Sequence, residues 1–68
     1  MIDIKKIDKN DIGKEVIYTD GIKNKECGKI KSWNDKWIFV VYNCGDDWNN
    51  YQDYTAAATD PKDLYFSL

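Results

Sequence analysis

The side chains with most chemical potential are concentrated in "GDDWNNYQDY", residues 45–54. Asp46, Asp47 and Asp53 surround Trp48, Tyr51 and Tyr54, and the aromatics recur at every third residue. One turn of helix would stack such a set on one side. Its carboxylate fringe would then suit a basic partner surface, including one that normally holds nucleic acid. The plainer alternative has the aromatics plugging the end of a small core while the acids face water. Calcium fits less well, because the EF-hand pattern needs acids at alternate positions and Gly at the sixth, and this stretch has neither. Nor do adjacent acids make a general acid/base pair, which needs two opposed environments around a substrate.

The rest of the chain offers little to a catalyst. It has no His, so Ser32, Ser67, Cys27 and Cys44 lack the usual activating base. Its four glycines, Gly13, Gly21, Gly28 and Gly45, are scattered and form no phosphate-cradling loop. The two cysteines show no CxxC spacing, and without His the common zinc ligand sets cannot form. A chain of 68 residues also leaves little room for a deep pocket. We therefore expect no enzymatic activity, no metal and no cofactor. If residues 25–33 and 36–44 pair as a hairpin, Cys27 falls within about one or two residues of facing Cys44. A disulfide is then geometrically open, whereas a reducing compartment favours two free, partly buried thiols.

Charge narrows the partners. The net charge is −2, unevenly spread: residues 1–36 carry nine Lys against seven acids, and residues 37–68 one Lys against five. All ten cations are Lys. Without Arg the chain lacks the planar fork that reads guanine and grips phosphate bidentately, and its acidic balance is not the footprint of a general nucleic-acid binder. A local patch remains as the alternative, using Lys23, Lys25, Lys29, Lys31 and Lys36 with Trp33 or Trp37 as a stacking surface. No apolar run is long enough to span a bilayer. The N-terminal "MIDIKKIDKND" carries charges where a signal peptide needs an apolar segment. The expectation is a soluble, cytoplasmic protein.

Turn signals divide the chain into short strands. A lead-in, residues 1–10, contains Ile2, Ile4 and Ile7. "NDIG" precedes a strand at 15–19 that ends at the strong turn signal Asp20-Gly21. A Lys-rich loop follows, then a strand opening at Gly28. Asn34-Asp35 turns the chain into the six-residue apolar run Trp37–Tyr42. Residues 45–54 read as a long loop and Thr55–Thr59 as a strand. "DPKDL" has room for a single 3₁₀ turn before a last strand, "LYFSL". Five short strands without a useful amphipathic helix predict one all-β domain, a small five-stranded barrel.

These features resemble a known group. "DIGKEVIY", "GKIKSWNDKWIFVVY" and "TAAATDPKDLYF" are similar to the small SH3-like barrel proteins encoded by bacteriophages and prophages. The resemblance spans roughly residues 11–66 and carries the fold rather than an activity. It implies an SH3-like barrel in a host cell, and a precedent for small phage proteins that inhibit host enzymes or defence complexes.

The apolar run poses the main question. A strand with one face in water alternates apolar and polar residues, yet Trp37, Ile38, Phe39, Val40, Val41 and Tyr42 are all apolar or aromatic. An even-length turn sets Ile30 opposite Phe39; an odd one exchanges the two apolar sets. Either way one face joins Ile30 in the core and the other puts three apolar residues beside Lys29 and Lys31. That second face is covered from within the chain or is a contact surface for a host or phage protein. The expected partner-binding residues are Trp37, Phe39, Trp48, Tyr51, Tyr54, Asp46 and Asp47, with Lys29, Lys31, Lys36 and Trp33 as the nucleic-acid alternative. An incompletely covered face allows a monomer or a weak homodimer.

Overall fold

Strand β1 (Glu15–Thr19) lies at the middle of one half of a sheet, flanked by β2 (Lys25–Trp33) and β5 (Leu64–Phe66). Strand β3 (Ile38–Val41) pairs with the far side of β2, and β4 (Ala57–Thr59) with the far side of β3. The computed structural model describes residues 1–21 and 24–67, so Lys23 of the candidate lysine patch lies outside the described residues. The sheet is five-stranded and antiparallel, in the order β4-β3-β2-β1-β5, and the chain is all-β. It does not close: β4 and β5 form its two edges.

Several strand boundaries differ from the sequence expectation, β5 among them, which ends at Phe66. Strand β2 starts at Lys25 rather than Gly28, because Lys25, Glu26 and Cys27 continue the ladder opposite Thr19, Tyr18 and Ile17. Strand β3 has four residues instead of six. At its start, Asn34 Oδ1 accepts the Trp37 N–H at 2.7 Å and draws Trp37 into the turn. Strand β4 covers only Ala57–Thr59, which pair with Val40, Phe39 and Ile38 of β3. Residues Trp48–Asp53, expected to be loop, form 3₁₀ helix with a kink at Asn50.

The hairpin register depends on a bulge. Ile30 faces Val40, but Ser32 faces Phe39 and Trp33 faces Ile38, so one extra residue is accommodated between Ile30 and Ser32. Such a bulge shifts the side-chain alternation by one position. Asn34–Trp37 is an even-length connection, closed by the Asn34 N–H to the Trp37 carbonyl at 3.0 Å, and the bulge converts it to the register expected of an odd one. Ile30 and Trp33, three apart, consequently share the core face.

That face holds Val16, Ile30, Ile38, Val40 and Leu64, with Ile2 brought in from the lead-in. The Ile2 N–H donates to the Pro61 carbonyl at 3.0 Å, and Ile4 and Ile7 pack against the same cluster. A single 3₁₀ turn, Pro61–Asp63, precedes β5; its first turn is capped by Asp60, whose carboxylate accepts the Lys62 N–H. Pro at the first helical position loses no bond there.

Gly28 sets the approach of β3 to β2. A Cβ at this position would lie 2.6 Å from both Val40 Cγ1 and the Val41 carbonyl oxygen. The backbone oxygen cannot swing aside as a side chain can. Gly28→Ala is expected to cost about 1–3 kcal/mol, a large share of the roughly 3–5 kcal/mol that so small a core supplies. A urea titration followed by Trp fluorescence measures it; an unshifted midpoint would contradict this packing.

Candidate functional site

The outer face of the sheet is built by the residues that alternate with the core set. Glu15 and Ile17 of β1, Cys27 and Lys29 of β2, Phe39 and Val41 of β3, and Tyr65 of β5 all point this way by register. Lys29 stands opposite Val41. Val41 is fully buried even though it lies on this face. The Trp48–Asp53 3₁₀ segment is seated against β2 on this side, with the Trp48 and Tyr51 rings beside Lys29, the cross-strand neighbour of Val41.

The segment is held by polar contacts rather than by a large apolar seam. Gly45 and Asp46 adopt left-handed backbone, φ 59° and 66°, and turn the chain back after β3. Gly does so at no steric cost, and Asp is among the few other residues that tolerate it. Lys29 Nζ then lies 5.7 Å from the centres of both the Trp48 and Tyr51 rings. Lys31, at the bulge, donates from Nζ to the Tyr54 carbonyl at 2.8 Å. The Tyr51 hydroxyl donates to the Ile30 carbonyl at 3.3 Å, and the Tyr54 hydroxyl to Asp47 Oδ2 at 3.0 Å. That last bond, to a carboxylate, raises the Tyr54 pKa above its ordinary value.

These contacts sort the candidate residues. Trp48, Tyr51, Tyr54 and Asp47 come together as one half-buried cluster, with Asp46 exposed beside it. Phe39 is half-buried, and Trp37, 41 % exposed, is the most open of the expected aromatics. The lysines divide differently. Lys29 and Lys31 are engaged with the segment, Lys36 is exposed in the hairpin turn, and Trp33 packs against the core on the opposite face. Both cysteines are free, Cys44 buried and Cys27 exposed. Among the described residues no group of three or more His, Cys, Asp or Glu is placed to hold a metal ion, and no helix is long and apolar enough to cross a membrane.

Sequence reasoning missed an open strip beyond the segment. Tyr65, Ile17 and Cys27 lie side by side across β5, β1 and β2. Tyr65 is 48 % exposed, Ile17 half-buried and Cys27 exposed. Where the strip meets the segment, Glu15, Cys27, Gly28, Lys29 and Trp48 line a shallow recess of about 330 Å³. The signal was present in "LYF", where Leu64 is core and Tyr65 must face away from it. Its neighbours across the sheet are not adjacent in sequence. No family model, curated protein or solved structure matches this chain.

Removing the Lys31 ammonium, as in Lys31→Met, leaves the Tyr54 carbonyl without its 2.8 Å donor. The expected result is faster amide exchange across residues 48–54 with β1 and β2 little changed, for a loss of about 1 kcal/mol. Equal protection in both proteins would show that the tie is not used. A second outcome concerns alkali. Tyr42 and Tyr54 both have raised pKa values, the first chiefly through burial and the second through its bond to Asp47. Their neutral forms favour the folded state, so stability holds below the unfolded tyrosine pKa of about 10 and falls as pH rises through the folded values. Difference titrations at the tyrosinate band between the parent and Tyr42→Phe or Tyr54→Phe should each show a missing component that titrates above the ordinary value; a missing component at the ordinary value of about 10 would contradict it.

Proposed function

We propose that this chain is a small, non-catalytic protein-interaction module on an SH3-like barrel scaffold, acting as a phage-encoded modulator or inhibitor of a host or defence protein in the cytoplasm. The antiparallel order β4-β3-β2-β1-β5, with a 3₁₀ turn just before β5, supports the scaffold reading. The phage setting and the inhibitory role rest on the sequence resemblance alone. Binding is carried by one observation: the strip Tyr65–Ile17–Cys27, which ends at the Trp48 recess and stays open to solvent. Exposed aromatic and aliphatic groups side by side are the usual centre of a protein contact, since they lose little entropy and exclude water well.

The same geometry weighs against phosphate binding. Lys29 and Lys31 already have partners within the chain, and Trp33 lies on the other side of the sheet. A lysine released to a phosphate would have to leave the segment seated against β2.

Affinity capture with tagged protein after nuclease treatment tests the reading. A stoichiometric protein should be retained by the parent and lost with Tyr65→Ser, a change at an exposed position that leaves the core intact. Retention should change little from about 50 to about 200 mM salt, whereas phosphate contacts weaken steeply over that range. A fluorescent oligonucleotide bound with a steep salt dependence, and no retained protein, would overturn it.

A further inference from the structure

A second recess lies at the other side of the sheet, beside β4. Tyr18, Glu26, Tyr42, Asp60 and Asp63 line it together with residues 57–59, around a volume of about 300 Å³. The two tyrosine rings meet edge to face, 6.2 Å between centres at 73°. Their positions are fixed. Thr59 Oγ1 donates to the Ala57 carbonyl at 3.2 Å, which leaves the Tyr42 hydroxyl as donor to Thr59 at 2.8 Å.

Charge around this recess is one-sided. Glu26, Asp60 and Asp63 contribute three carboxylates, and none of the described lysines lines it. Lys62 reaches only Asp60, at 4.0 Å, and its side chain is 70 % exposed. The carboxylates are spread around the aromatic pair and are not placed to share a metal ion. An aromatic ring attracts a cation through its negative face, and nearby carboxylates add to that attraction. A flexible basic side chain fits this arrangement, with its stem on Ala57 and Ala58 and its head among the acids.

We propose that the Tyr18–Tyr42 recess takes the cationic side chain of a Lys or Arg on a partner protein. The site lies apart from the outer strip, and it extends the interaction-module reading by naming the chemistry of a second contact. Its test needs no partner. N-acetyl-arginine amide and N-acetyl-lysine amide are titrated into ¹⁵N-labelled protein, with the neutral isostere N-acetyl-citrulline amide alongside. Saturable amide shifts are expected at Tyr18, Glu26, Tyr42 and Thr59, with the citrulline probe weaker by about tenfold. Glu26→Gln and Asp63→Asn should each weaken the better cationic probe by about threefold to tenfold. Asp3→Asn and Asp35→Asn, which remove the same charge at exposed positions elsewhere, should leave binding unchanged. The same spectra report whether each variant is folded. Equal weakening by all four variants, equal binding of citrulline, or shifts confined to other acids would overturn the site. Failed affinity capture with an intact arginine response would instead overturn the wider reading and leave this site standing.

Discussion

An extra residue in β2, between Ile30 and Ser32, decides which side of the hairpin meets the core. Without it the even-length Asn34–Trp37 connection would set Ile30 with Trp37, Phe39 and Val41. With it, Ile30 joins Ile38 and Val40, and Trp33 comes round to the same side. Because side chains alternate with a period of two, a one-residue shift exchanges whole faces. The bulge also frees Lys31 from the alternation and lets it reach the Tyr54 carbonyl.

Once that register is set, the second apolar face has to be dealt with by a chain short of residues. The 3₁₀ segment does so with few apolar contacts of its own. Two aromatic rings lie against the Lys29 ammonium, and two lysines of the supposed nucleic-acid patch become ties within the molecule. The same residue types that suggest a phosphate surface in a linear reading here hold a cover in place. What the segment leaves uncovered is the strip across β5, β1 and β2, which is where a protein partner has apolar surface to bury.

The two surfaces differ in character. The outer strip is apolar with Glu15 and Lys29 at its border, while the recess at the β4 end is aromatic and ringed by acids. A partner with an apolar patch and a basic side chain would meet both kinds of surface. The lead-in takes no part in either, since Ile2, Ile4 and Ile7 serve the core, which a chain this short cannot complete from its strands alone.

Much of the architecture was legible from local signals. Asp20-Gly21 and Asn34-Asp35 mark their turns, the Asp-Pro pair marks the 3₁₀ turn, and short runs of strand formers between them specify an all-β chain. These are short-range effects of backbone preference, so they are written in neighbouring residues. The candidate site was only half legible: Trp48, Tyr51 and Tyr54 were found by spacing, but not what they cover. Pairings across the sheet decided the rest. Ile17 lies between Tyr65 and Cys27, and Tyr18 meets Tyr42 in a recess that Asp63 also lines, through segments far apart in sequence. The hairpin register needed a bulge that no residue type announces, because it is a compromise between turn length and the burial of Ile30. The sequence by itself determined the elements; the tertiary structure decided which faces they share, since packing chooses among registers that local preference leaves nearly equal.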